Sequence, residues 1–366
     1  MSRDPWSTAG NLLCIRLDSL GDVLMTTPAL RALKETGQPR ITLLTSPAGA
    51  VCGELLPEVD EVLIYRAPWM KSPPGFALAA TASASPDLQM IEDLRRRKFD
   101  GAIIFTVYSQ SALPAALMCH LADVPLRLAH CRENPYHLLT DWVPDPEPQP
   151  TIRHEVRRQL DLAAQIGARP SHERLSLQVP AEAREQALDL FGSLGVNASR
   201  PWLLIHPGAS AASRRYPAEM FAAVTRSLTH HGQQCIFVGQ EGEIELVQTI
   251  RAAAGAGSCS LAGMLSLAQL AALIEMAPVL IANNSGPVHV AAAVGTPVVD
   301  IYALTNPQHT PWQIPHRVLS HDVPCKYCYK SVCPEGHHHC LALVTPEQVV
   351  NATLALLEET QAAVRI

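Results

Sequence analysis

Four short loops of this sequence set reactive side chains beside glycine or other small residues, each directly after a β-branched or leucine-rich run. In Arg16-Leu-Asp-Ser-Leu-Gly-Asp22, two carboxylates flank a glycine that permits a tight turn. One aspartate is accounted for as a cap of the following helix. The other is left at the carboxyl edge of a strand, a place suited to a general base. In His206-Pro-Gly-Ala-Ser210 and Ser213-Arg-Arg-Tyr-Pro217, small residues let the backbone approach a ligand. Arg214 or Arg215 can grip phosphate oxygens there, or stay solvated beside a helix cap. Gly239-Gln-Glu-Gly-Glu243 offers Glu241 and Glu243 either to a helix dipole or to the hydroxyls of a ribose. In Asn283-Asn-Ser-Gly-Pro-Val-His289, a Ser-Gly-Pro turn opens an alanine-rich helix. Backbone N–H groups at such a start form an anion site, and His289 sits one turn in, as a ligand or as a core group.

These loops need strands behind them and helices after them. Strands are expected at Leu12–Leu17, Ile41–Thr45, Glu61–Tyr65, Gly101–Phe105, Trp202–His206, Gln234–Val238, Val279–Ala282 and Val298–Tyr302. Helices are expected at Pro28–Glu35, Gln110–Leu121, Pro217–His231, Glu243–Ala254, Leu267–Met276 and Gly286–Val294. Two such alternating series predict two α/β domains with parallel sheets, whose ligands gather at the carboxyl ends of the strands. Pro144-Asp-Pro-Glu-Pro-Gln-Pro150 reads as a stiff divider, followed by a helix over Ile152–Ile166 and a second-domain start near Leu175–Val179. The expected domains are 1–175 and 176–345, with a last helix over 346–362 able to pack back on the first.

The chain has 366 residues, 48% hydrophobic and 17% charged, with a formal charge of −6 from 28 Lys+Arg and 34 Asp+Glu. Mean hydropathy is +0.09. That composition fits a soluble globular protein and disfavours nucleic acid as the main partner, since such binding neutralises phosphates with excess cations. The run Arg95-Arg-Arg-Lys98 reads as a solvated helix end. No apolar stretch is long enough to span a bilayer, and no signal-peptide core is visible, so a cytoplasmic location is expected. The P-loop pattern is missing, and Gly255-Ala-Gly257 lacks the third glycine of a dinucleotide fingerprint.

Taken in order, Arg16 to Lys34, His206 to Ser210, Arg214 to Phe221 and Asn284 to Val299 resemble glycosyltransferase family 9, the lipopolysaccharide heptosyltransferases. The resemblance covers nearly the whole chain. It implies a GT-B fold, in which two Rossmann-like domains with parallel sheets face each other across a cleft. It also implies inverting transfer, with no cofactor required, from a nucleotide-diphosphate sugar (ADP-heptose by default) to a saccharide or glycolipid acceptor of lipopolysaccharide type, with at most peripheral membrane contact. Asp22 matches the family's base, and Arg214 the basic residue facing the diphosphate. Ser210, Asn284, Ser285, Gly286 and His289 match the donor loops, and Glu243 a ribose partner. Two departures stand out. Many members carry aspartate where this chain has Asn284, and Thr106-Val-Tyr-Ser-Gln-Ser111 differs from the core heptosyltransferases, which leaves the acceptor open. A GT-B-shaped sugar-nucleotide epimerase and a catalytically silent nucleotide-sugar binder are the alternatives.

Ten cysteines in a reducing compartment do not imply five disulfides. Cys325, Cys328, Cys333 and Cys340, with His337, His338 and His339 alongside, have the composition of a tetrahedral metal site. A structural zinc or iron is expected there, as in some protein-glycosylating relatives; reduced thiols or disulfides formed on isolation are the alternatives.

Overall fold

The computed structural model describes residues 5–71, 84–197 and 200–364. The chain divides into two compact units, Met1–Ser176 and Leu177–Ile366.

In the first unit the elements run β1 (Asn11–Arg16), α1 (Leu20–Gly37), β2 (Arg40–Thr45), α2 (Pro47–Ala50), β3 (Glu61–Ile64), α3 (Ser85–Arg97), β4 (Gly101–Ile104), α4 (Leu113–Leu121), β5 (Leu126–Cys131), β6 (Asp141–Pro144) and α5 (Glu155–Ala164). The sheet order is β3-β2-β1-β4-β5-β6, all parallel. Helices cover both faces of a parallel sheet, so its central strands read as continuous apolar runs; Leu12 to Ile15 of β1 are all buried. Helix α1 begins well before the expected Pro28. The proline ring removes one helical N–H, and the carbonyl of Leu24 accepts instead from Thr27 Oγ1 at 2.7 Å.

The second unit runs α6 (Ala181–Ser193), β7 (Trp202–His206), α7 (Ala218–His230), β8 (Gln234–Phe237), α8 (Ile244–Ala254), β9 (Ser258–Ser260), α9 (Leu267–Met276), β10 (Leu280–Asn283), α10 (Gly286–Val294), β11 (Val298–Ile301), β12 (His316–Leu319), α11 (His339–Ala342) and α12 (Pro346–Val364). Its sheet, β12-β11-β10-β7-β8-β9, repeats the strand order of the first. In each unit the order reverses between the first strand and the fourth, and ligands of doubly wound sheets gather in the crevice at that point.

One expectation changes. The proline stretch is no divider: β6 pairs with β5 up to Pro144 at the sheet edge, where a missing N–H is tolerated. Beyond it, Asp145 and Glu147 are buried on Arg158 of α5 at 2.8 and 2.5 Å. Leu175–Val179 forms no strand, and the N–H of Ser176 donates to Thr27 Oγ1 of α1 at 2.9 Å. Within the second unit, α12 packs on α7, β11 and β12. No helix among the described residues is long and apolar enough to cross a membrane.

Candidate active site

At the first unit's switch point the residue that organises the loop is Arg16, the last of β1, whose side chain is fully buried. Its guanidinium meets three carboxylates: Asp18 at 2.9 Å, Asp22 at 3.3 Å and Glu155 of α5 at 2.7 Å. A buried guanidinium requires such partners, because an uncompensated charge in a low dielectric is costly. Glu155 is fixed in turn by Gln159 Nε2 at 2.6 Å, and both Gln159 and Arg158 donate to the carbonyl of Thr106, just beyond β4. One polar chain thus joins α5 to both loops at the switch point.

The two aspartates of the loop are held differently. Asp22, in the first turn of α1, accepts on Oδ2 from the N–H and the hydroxyl of Ser19 at 3.1 and 2.7 Å, and presents Oδ1 to Arg16. It is therefore the capping carboxylate, held in one orientation. Asp18 lies outside the helix and accepts from Gln110 Nε2 at 2.6 Å. Burial pushes its carboxyl up to about 6, with the negative charge of Asp22 adding to the effect and Arg16 and Gln110 opposing it.

In the second unit, the loops after β7 and β10 are tied by Asn283, which donates to the carbonyl of Pro207 at 2.6 Å and accepts from the N–H of Tyr216 at 3.1 Å. Glu243 reaches back over the β7 loop. Its Oε2 accepts from the N–H of Gln240 at 2.8 Å and stands 3.4 Å from Nε2 of His206. Burial opposes ionisation of Glu243, yet His206, the Gln240 amide and Arg215 together hold its carboxyl below the usual range. Gly208 makes this approach possible, since a Cβ there would fall 1.7 Å from Glu243 Oε1. Ser210 is exposed, and Arg214 is half-buried at the end of a short 3-10 turn that Ser213 pins to the carbonyl of Lys330 at 2.7 Å.

Helix α10 starts at Gly286 after an extended Ser285 whose side chain does not cap it, and His289 is buried one turn in. Asn284 is turned inward: its amide donates to Asp300 at 3.1 Å and to the carbonyl of His309 at 2.9 Å. Asp300 is fully buried on β11, and burial pushes its carboxyl up to about 8. The carboxyl group of this region thus stands on β11, uncharged at neutral pH, behind an amide on the β10 loop.

Against this geometry stand the comparisons with known proteins. Residues 88–339 match the model of glycosyltransferase family 9 (heptosyltransferase). The chain belongs to that family. It is 27% identical to lipopolysaccharide heptosyltransferase 2 of Escherichia coli over 96% of its own length and 99% of the relative's. The solved ADP-heptose LPS heptosyltransferase II of E. coli superposes with a TM-score of 0.73 at 25% identity, covering 96% of this chain and 99% of that one. A family 9 glycosyltransferase from Veillonella parvula shares the fold with a TM-score of 0.80 at 24% identity, covering 98% and 99%. This chain is therefore a glycosyltransferase built from two Rossmann-like units.

The expected metal site of this family 9 enzyme is not assembled. Cys325, Cys328, Cys333 and Cys340 are free cysteines, and no three His, Cys, Asp or Glu side chains among the described residues are grouped to hold an ion. The segment is fixed by its backbone instead, through Tyr327 N–H to the Leu304 carbonyl at 2.6 Å and Tyr329 N–H to that of Thr305 at 2.8 Å.

Sequence reasoning missed Arg16 as the organiser, and Glu155, Gln110 and Thr106 around it. An arginine ending an apolar strand beside two aspartates was a visible signal. Nothing local marks Glu155, which stands 139 residues from its partner.

Proposed function

We propose that this enzyme transfers a heptosyl group from ADP-heptose, with inversion, to a saccharide of a lipopolysaccharide-type acceptor. The observation that carries the reading is the similarity to lipopolysaccharide heptosyltransferase 2 of E. coli along 96% of the chain. The acceptor hydroxyl attacks the anomeric carbon as Asp22 removes its proton; the new C–O bond forms while the bond from carbon to the diphosphate oxygen breaks, and ADP departs. Ser19 and Arg16 fix the orientation of Asp22. Arg214 and the backbone at Ser285 and Gly286 take up the negative charge of the leaving diphosphate, with Ser210 and His289 beside them. Glu243, held ionised, accepts from the ribose hydroxyls. Asn284 acts behind this surface, keeping the β10 loop in place. A glycolipid acceptor asks only for peripheral contact with a membrane.

The test is thermal stabilisation by a panel of ADP- and UDP-sugars, followed by product analysis. ADP-heptose should raise the melting temperature in proportion to the logarithm of its concentration above Kd. The glycoside formed should have the opposite anomeric configuration to the donor. No stabilisation by any ADP-sugar, or a changed sugar nucleotide formed without acceptor, would overturn the reading.

A further inference from the structure

At the switch point of the first unit a cavity of about 250 Å³ opens beside the Arg16 cluster. Its walls are apolar, with Trp69, Met70 and Phe105 among them, and its polar groups are Thr106, Ser109, Gln110 and Ser111. None of the described residues lining it is charged. Trp69 is half-buried, and Tyr65 packs against it at 5.8 Å between ring centroids, so the indole stands as a braced wall. Thr106 is only 9% exposed, and its Oγ1 has no hydrogen-bond partner among the described residues, although its carbonyl is fixed by Arg158 and Gln159. A buried hydroxyl in an apolar pocket is costly without a partner, and a ligand hydroxyl would supply one. Gln110 links the cavity to the Arg16 cluster, because it lines the wall and donates to Asp18.

We infer that this cavity is a subsite for one uncharged sugar ring of the acceptor, stacked on Trp69 and hydrogen-bonded through Thr106 Oγ1. The inference rests on the proposed role of Asp22, in the first unit, as base toward the acceptor hydroxyl, and it names the class of sugar. The volume suits a single ring, being smaller than the roughly 300–1,000 Å³ of sites for larger ligands. A pyranose presents C–H faces to an aromatic wall and hydroxyls at its rim, which matches the lining. A phosphate or carboxylate on that ring would meet no cation on the wall, and three carboxylates share one guanidinium beyond it.

The experiment is ligand-observed NMR titration of the full chain with methyl α-mannopyranoside, mannose 6-phosphate and cyclohexylmethanol, an apolar ring without the ring hydroxyls. Saturable binding of the neutral glycoside is expected with Kd on the order of 1–10 mM, at least about fivefold tighter than the phosphate or cyclohexylmethanol. Trp69→Ala should weaken it by about tenfold, and the near-isosteric Thr106→Val, which keeps Trp69 and its packing, by about threefold. Ser109→Lys should shift preference toward the phosphate. Equal or tighter binding of the phosphate or of cyclohexylmethanol, insensitivity to both cavity variants, or no saturation up to about 0.1 M would overturn the inference. Stabilisation by ADP-heptose is read separately: its failure sinks the proposed function, whereas its success alongside any of these outcomes sinks only the subsite.

Discussion

The first unit furnishes its switch point with an ionic cluster, three carboxylates around the buried Arg16, while the second, with the same strand order, relies on amides, glycines and a single reaching carboxylate. Topology alone therefore fixes where a ligand is received, and the loops fix with what chemistry. Holding a proton acceptor in one pose calls for charge and rigid partners. In the proposed reading the second unit receives a polyanion, which calls for open N–H groups and few competing carboxylates, and burial pushes the carboxyl of Asp300, behind the β10 loop, up to about 8. Several substitutions probe this division.

The largest effect is expected from Asp22→Asn, which should lower the transfer rate by about 10²–10⁴-fold while changing the affinity for ADP-heptose by less than about twofold. An active variant would remove Asp22 as the base and move attention to Asp18. Next comes Arg16→Met, which leaves three carboxylates without their shared cation. A loss of about 3–5 kcal/mol in urea unfolding is expected, and a loss under about 1 kcal/mol would mean that the cluster contributes little to holding the loop.

In the second unit, Gly208→Ala should displace Glu243 and weaken ADP binding by about tenfold without disturbing the first unit. Unchanged binding would show that Glu243 does not face the nucleotide. A further test concerns Asp300, which holds its proton up to about 8 when folded, against an ordinary value of 3.8. Its contribution to stability is full below that ordinary value and is lost as the pH rises through the folded one. Asp300→Asn removes this titration, so the variant should gain roughly 2–6 °C in melting temperature relative to the parent between pH 6 and pH 9. A gap that does not change with pH would show the carboxyl to be paired and ionised. The smallest change should come from Ser19→Ala, about 1 kcal/mol of stability.

Much of this was legible beforehand. The boundaries of α9 and α10 matched expectation because local signals agree: Ser266 caps one helix, and Gly295, in the left-handed region at φ 88°, ends the other. The two-unit architecture and the loops at the strand ends followed from the alternation of strands and helices, and the family from motif order. Strands β5 and β6 were missed because Arg127 and His130 interrupt one apolar run and Pro144 ends the other. Those polar groups lean on partners from outside their own strand: Arg127 reaches the carbonyls of Leu138 and His137 as well as those of Val124 and Pro125 just before it, and His130 meets that of Arg158. The Glu155 ion pair and the cavity beside Trp69 likewise depend on tertiary proximity, which no local pattern encodes. The four cysteines of the C-terminal loop lie close enough for Cys333, Cys325 and Cys328 to act on the Cys340 thiol, although no three ligating side chains among the described residues are grouped to hold an ion.

The anchored proline stretch bears on how this enzyme is taken apart. Anyone preparing the first half by itself, or exchanging halves between relatives to trade acceptor preference, would be tempted to cut among the prolines near residue 150. That fragment would keep Asp145 and Glu147 but lose Arg158, and would keep Arg16 but lose Glu155. A junction after Ser176 retains every one of these partners, so chimeras joined there should be the ones that express as folded protein.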